Sequence, residues 1–430
     1  MPFNIIICGG GLGGLGAAIA LKRKGHSVTV LEGAPKLAEV GAGIQIPPNS
    51  SRILATYGVI DEIQKLVVWP KNIHFRRYCT GDIIGRTPLD PRMKEQYEYP
   101  YWLIHRADYQ QCLCDYAEKL GVKVLLGHYV ERVDEASASP SVTLANGETM
   151  TADVVVGADG IRSRVREAIL GADNVHATDS PNCAFRATVP RELMLADPDV
   201  AHLMSDINSN CWIGHERHVM AYPIRNGEMY NLVMSHPGKA AVGRWNEPGN
   251  LEEMREHYSN FDPVIQKVIA KVDSCLKWKI ADLPPLKKWV GSSGHVVVIG
   301  DAAHAMVPYL AQGAATAIED GAALAECLSR TRDSSMIPEA LAAFQEMRKS
   351  RCEIIQSASR GNGDIWHMPD GPGQQQRDRD MMDEIQGVEK DKASVQNPNR
   401  WSDKSFQPWL FGHDTMKEAS TFLDKKFKSP

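Results

Sequence analysis

Six residues near the start constrain this chain more than any others. Gly9-Gly10-Gly11-Leu12-Gly13-Gly14 stands between an apolar run, Phe3 to Cys8, and a segment, Gly14 to Lys24, in which Leu15, Ile19 and Leu21 recur at helical spacing. A second apolar run, Ser27 to Leu31, follows and ends at Glu32. Strand, glycine turn, helix and strand in that order specify a βαβ unit. Within G-x-G-x-x-G, Gly9 permits the tight turn and Gly11 lets a pyrophosphate approach the backbone at the helix N-terminus. Gly14 allows the helix to pack on the sheet, and Glu32 can accept from ribose hydroxyls. A Gly-rich turn with no ligand is the bland alternative, but the flanking elements and the acidic residue all sit where a dinucleotide needs them. Glutamate at this position, where arginine would suit a phosphorylated ribose, argues for an unphosphorylated one.

No second fingerprint of this kind follows residue 100, which disfavours a pyridine-nucleotide dehydrogenase built from two such halves. The nine cysteines are scattered and include no Cys-x-x-Cys, so a disulfide reductase, a disulfide framework and a zinc site are not signalled either. They fit a reducing compartment, and a cytoplasmic location is expected. The opening MPFNIIIC lacks a basic n-region, and no window approaches the roughly 20 apolar residues of a membrane span. A net charge of −5 without any run of five or six like charges argues against nucleic acid or an anionic membrane as partner. A small molecule is the expected partner, with no metal.

The chain returns to the first sheet twice. Asp153 to Gly157 and His295 to Ile299 are short, almost wholly apolar strands, the type found in sheets covered on both faces. Between them, Ala184 to Val189, Val219 to Ile224 and Met229 to Met234 read as strands of an antiparallel sheet, and Lys71 to Arg86 is strand-like as well. With 430 residues the chain can support two associated domains. The fold class expected is α/β, a Rossmann-like dinucleotide-binding domain with an inserted, mostly antiparallel β-sheet substrate domain and C-terminal helices. The first takes residues 1–70, 100–178 and 292–360, and the second takes 71–99 and 179–291. Residues 361–430 form a polar, partly helical tail that wraps either the body or the interface of a homodimer.

Four further stretches carry motifs: GAGIQIPPNS (Gly41 to Ser50), HRADYQ (His105 to Gln110), VVGADGIRSRVR (Val155 to Arg166) and IGDAAHAMVPYLAQGAATAIED (Ile299 to Asp320). Together with the glycine loop, and in this order, they resemble the FAD-dependent aromatic hydroxylases of the single-component, salicylate hydroxylase-like group over roughly residues 3 to 360. The resemblance implies non-covalent FAD, NADH or NADPH as co-substrate without a domain of its own, O2 and a small aromatic substrate. It implies that Asp301 binds the ribityl chain and that the helix start at Gly313 and Ala314 meets the pyrimidine end of the flavin. There a helix N-terminus would stabilise the negative charge of the reduced ring. Pro308 would lie near the face where oxygen reacts, Gly43 and Gln45 along the isoalloxazine, and Arg106 at phosphate or ribityl oxygens. Asp159 and its neighbours would serve both FAD and the passing nicotinamide. On the inserted sheet, Arg186 and Tyr222 are the candidate catalytic residues that hold or deprotonate substrate.

The implied reaction transfers one oxygen atom to an electron-rich aromatic carbon, and a phenolate stabilised by a cation such as Arg186 is the better nucleophile. A hydroxybenzoate or salicylate-like acid is the expected substrate, with CO2 lost if the attacked carbon bears the carboxylate. A larger indole, polyketide or alkaloid is the alternative, and a flavin-holding protein without turnover the remote one. Bland readings stay open for several residues. Asp301 alone would suit a helix cap. Arg162, Arg164 and Arg166 are either a solvated edge or a site for NAD(P)H phosphates. His304 next to Asp301 suggests a metal pair, but a packed histidine fits better, and His215, His218 and His236 read as ordinary surface or core histidines. Trp212, Met220, Met234 and Trp245 are core residues by default and pocket residues otherwise.

Overall fold

The computed structural model describes residues 1–37, 42–239, 246–382 and 397–427. Gly41 and Trp245 therefore lie outside the described residues. Five parallel strands form the first sheet in the order Val296–Val298, Val154–Gly157, Asn4–Cys8, Ser27–Glu32, Lys123–Leu126. The inner strands are mostly apolar because both faces are covered. Helix Leu12–Arg23 packs between helices Arg106–Lys119 and Gly313–Ser329, while Arg164–Leu170 lies against strands Val154–Gly157 and Val296–Val298 and carries the meander of residues 130–151 on its other side. Register brings Ile5, Ile6 and Ile7 opposite Val154, Val155 and Val156.

The glycine turn obeys close-packing limits. Gly9 has φ +110°, a left-handed value that side chains resist, and a Cβ on Gly14 would sit 2.0 Å from the Gly9 carbonyl oxygen. Helix and strand can meet this tightly only without a side chain at that position.

Eight strands form the second sheet, and they come from both insertions. Its order is Asn246–Pro248, Leu276–Asp282, Thr178–Pro190, Met229–Pro237, Arg217–Ile224, Ser209–Gly214, Asn72–Arg77, Ile83–Pro88. Pairing is antiparallel except between Ser209–Gly214 and Asn72–Arg77. Period-two alternation sorts its residues: Phe185, Ala187, Trp212, Leu232 and Met234 join a core beneath helices Leu251–His257 and Pro263–Ala270. Ala184, Cys211, Met220 and Tyr222 face the other way. Asn231 Oδ1 accepts from the Gly43 N–H at 2.7 Å, and Arg225 grips Asp108 by two bonds of 3.0 Å, tying the second sheet to the strand Gly43–Ile46 and to helix Arg106–Lys119.

The segment beyond residue 361 is helical and packs on the body where it is described. Helix Ile337–Trp366 runs into it, and Trp366 and Trp401 are 2% and 1% exposed, with both rings within 6 Å of Phe75. The isolated aromatics of a polar stretch are thus its anchors in the body. No helix among the described residues is long and apolar enough to cross a membrane.

Candidate active site

A cleft of about 410 Å³ opens between the two sheets. One end is the glycine loop. Gly11 precedes helix Leu12–Arg23 with open space where its side chain would be, and the helix start has neither a side-chain cap nor an acidic residue in its first turn. Uncapped N–H groups and the helix dipole suit an anion there. Gly9 and Gly14 do not line the cleft but shape the turn. Glu32 stands behind the loop as well, its Oε2 accepting from the Gly10 N–H at 2.7 Å and its Oε1 from Ala34 at 2.8 Å. A carboxylate has lone pairs to spare for a ribose hydroxyl.

Asp159 departs from the simplest expectation. Its neighbours Ala158 and Gly160 line the cleft, whereas its Oδ2 accepts from the N–H groups of Arg164 and Val165 at 2.8 and 3.2 Å. It clasps the start of the next helix, and burial pushes its carboxyl pKa up. Arg166 is likewise structural: it is 2% exposed and donates to the carbonyls of Ala302 and Ile161. Of the three arginines read as a phosphate-binding edge, Arg166 is excluded because its guanidinium is spent inside the fold.

Asp301 is the first residue of the short helix Asp301–His304 and stands exposed in the cleft. The cap position belongs to Gly300, and no side chain caps this helix, so the capping role is overturned. Arg106 lines the same wall, with its pKa pushed down to about 10 by burial and the nearby Arg186, against the pull of Asp301. Farther along, helix Gly313–Ser329 begins without a side-chain cap, presenting Gly313 and Ala314 to the cleft beside Pro308. Gln45 is held there by the Tyr101 and Tyr222 hydroxyls.

A fully buried ion network underlies these two turns. Asp320 accepts from the Gly300 N–H at 3.0 Å, His304 Nε2 at 2.6 Å and Arg348 Nε at 2.9 Å. Glu319 meets Arg348 and Arg351 at 2.8 and 2.9 Å and accepts from Asn49, which also donates to Gln312. Burial opposes both carboxylates, but the arginines, with His304 at Asp320, outweigh it and hold them below their ordinary pKa. His304 thus pairs with Asp320, not with Asp301, as a packed histidine. Cys352 lies near enough to complete a metal-type trio, yet Arg348 already occupies the same carboxylate. The sequence reading missed this network, though its signal was present: two acids in a helix of small residues, and two arginines spaced i, i+3 in the next.

The second sheet supplies the far end. Arg186 stacks its guanidinium 5.0 Å from the Trp278 ring, and its Nε is buried with no hydrogen-bond partner. Tyr222 lines the same wall, its phenol pKa raised by burial against the influence of Arg186. Met220, Tyr309, Trp366 and Trp401 complete an aromatic-rich enclosure. Trp212 and Met234 face away into the second core, where Trp212 Nε1 bonds Asp262 at 2.9 Å. His218 is buried as a core histidine, 3% exposed, and it also lines the cleft, with its Nδ1 2.8 Å from Nε2 of His367. Single-sequence reasoning could not select it among 14 histidines. His236 does sit in the core, stacked on Phe185, and His215 is exposed.

Comparison with known proteins agrees with this geometry. The family model described as FAD binding domain matches residues 3–358. The FAD-dependent monooxygenase OpS4 of Beauveria bassiana (strain ARSEF 2860) is 37% identical over 421 residues, covering 98% of this chain and 97% of that protein. The 3-hydroxybenzoate 6-hydroxylase of Polaromonas naphthalenivorans (strain CJ2) is 30% identical over 413 residues, 95% of each chain. A salicylate hydroxylase substrate complex shares the fold, with a TM-score of 0.79 at 23% identity over 98% of both chains. An uncapped glycine-loop helix, a second uncapped helix start and a cleft between them are the cradle a long flavin nucleotide requires, and with these matches the chain belongs to the FAD binding domain family of FAD-dependent monooxygenases.

Proposed function

We propose that this enzyme uses NAD(P)H and O2 to hydroxylate a phenolic acid of the hydroxybenzoate type. The observation that carries the reading is Arg186, a guanidinium braced on Trp278 with a buried Nε lacking any partner, in an enclosure of aromatic rings. An unsatisfied buried cationic donor is costly, and a substrate carboxylate or phenolate is the ligand that satisfies it. Bound FAD supplies electron transfer from NAD(P)H and the activation of O2. Gly11 and the uncapped helix start hold its pyrophosphate, Asp301 and Arg106 its ribityl and phosphate oxygens, and Gly313 and Ala314 its pyrimidine edge. Gln45, fixed between Tyr101 and Tyr222, would lie along the flavin ring on the side of the second sheet. Arg186 favours the ionised substrate, Tyr222 orients it, and the rings of Tyr309, Trp366 and Trp401 exclude water. None of the nine cysteines is in a disulfide, in keeping with a reducing cytoplasm as the site of action.

The test is direct. Purified protein should be yellow, and its NAD(P)H oxidation should rise when the right member of a panel of hydroxybenzoates and indoles is added. Product mass then reads the outcome: one oxygen gained marks hydroxylation, and accompanying loss of CO2 marks attack at the carboxylate-bearing carbon. A protein that binds no FAD and oxidises no NAD(P)H would refute the reading.

A further inference from the structure

On the side of the second sheet away from the cleft, three metal-type side chains converge. Glu253 and His257 stand i, i+4 on helix Leu251–His257 and so share one face of it. His236 meets them from strand Met229–Pro237, its ring centroid 4.4 Å from that of His257. Glu253 Oε1 lies 3.9 Å from His257 Nε2, and one ligand atom from each of the three lies within 4.8 Å of the other two. The hydroxylase reading uses none of them.

His236 adds an independent sign of a missing ligand. Its side chain is 0% exposed, yet its Nε2 has no hydrogen-bond partner, while its Nδ1 turns back to the Met234 carbonyl at 3.4 Å. A ring nitrogen that donates to a backbone carbonyl leaves the lone pair on the other nitrogen, the arrangement metal-ligating histidines adopt. That lone pair is at the end of the ring away from its own strand. A buried acceptor with no donor is costly, and Phe185, stacked 4.3 Å away, offers none.

We propose that His236, Glu253 and His257 form a binding site for one divalent cation of the zinc type. Two imidazoles and a carboxylate suit borderline ions such as Zn2+, whereas Mg2+ and Ca2+ take oxygen ligands. Ligands about 2.0–2.2 Å from zinc stand roughly 3.4 Å apart in a tetrahedron, so the trio has to draw in by up to about 1.4 Å. His236 is held in the core, but the side chains of Glu253 and His257 are 41% and 28% exposed and have room to turn. Lys277 holds Glu253 Oε1 at 2.8 Å, and a carboxylate has a second oxygen, so lysine and metal can share it. The trio of His304, Asp320 and Cys352 differs in this respect, because it and Arg348 are all buried and leave nothing free to move. Phe185 and Arg186 are consecutive and face opposite sides of the sheet. The bound ion therefore clamps helix Leu251–His257 to the sheet directly behind Arg186.

The experiment strips FAD-loaded protein of divalent ions with a chelator, removes the chelator and titrates with zinc chloride by calorimetry, with urea midpoints measured in the presence and absence of zinc. One Zn2+ per chain should bind and raise the midpoint, since a ligand of the folded state alone stabilises it. Glu253→Gln and His257→Gln change part-exposed side chains and should retain FAD. Each should bind zinc at least roughly tenfold more weakly, because the loss of even an outer-shell partner costs that much, and the zinc-dependent rise in midpoint should shrink with it. No stoichiometric binding to the wild-type chain, or wild-type affinity in both variants, would overturn the site. The site does not rest on the hydroxylase reading, which the FAD content and NAD(P)H oxidation of the same samples test separately.

Discussion

At Asp301 a carboxylate that caps no helix stands exposed to the cleft at the first turn after a buried strand, so its loss is expected to act on the cofactor. Asp301→Ala should weaken FAD binding by about 10- to 100-fold, the range for one charge-assisted hydrogen bond of about 1.5–3 kcal/mol. Flavin fluorescence on titration with FAD measures it, and full retention of FAD would remove Asp301 from the cofactor site. Arg186 separates cleanly from this. Arg186→Ala should keep FAD, leave the basal NAD(P)H oxidation unchanged and reduce substrate-stimulated turnover at least tenfold, mainly through KM. Both residues stand out in the sequence because each sits in a motif or predicted strand, which is local information. His218 does not, since its place in the cleft wall beside His367, 149 residues away, is set by tertiary packing.

Two helices joined by ions make the next scale. Arg348 on Ile337–Trp366 bridges Glu319 and Asp320 on Gly313–Ser329, and with His304 it fixes the turn that presents Asp301. Removing one member leaves a buried carboxylate without its partner. Arg348→Leu should therefore cost about 3–5 kcal/mol of stability and be read as a lowered urea midpoint. Elements were predicted well where a pattern is local: the parallel strands from apolar runs and the strands of the second sheet from their short β-rich segments. Their partnership across insertions was less visible. That Asn72–Arg77 pairs in parallel with Ser209–Gly214 depends on a crossover of more than 100 residues, about which local periodicity is silent.

Across the whole molecule, acid should act through buried histidines. Burial pushes His26, His74, His236 and His367 down to about 4, against about 6.5 in an unfolded chain. The unfolded state then binds more protons between these values, so stability is fully present above about pH 6.5 and is lost as pH falls towards 4. The lowered carboxyls of Glu319 and Asp320 extend the loss to lower pH. His304, raised by its partners, works the other way, and its contribution fades only as pH rises through its folded value. Urea midpoints measured from pH 7 to 4 should fall steadily. The C-terminal segment is tested by Trp401→Ala, which should cost about 3–5 kcal/mol as a core cavity and also enlarge the substrate enclosure, widening the range of aromatics accepted. The amino-acid sequence by itself determined the βαβ unit, the dinucleotide site and the later strand-to-helix turn, because glycine geometry, helix ends and strand periodicity are short-range physics. Only the tertiary structure decided which side of each strand faces the cleft, which arginine is spent in the core and which histidine lines the cleft. Those outcomes depend on packing between residues more than 100 positions apart, where burial and the field of a distant partner set what a side chain can do.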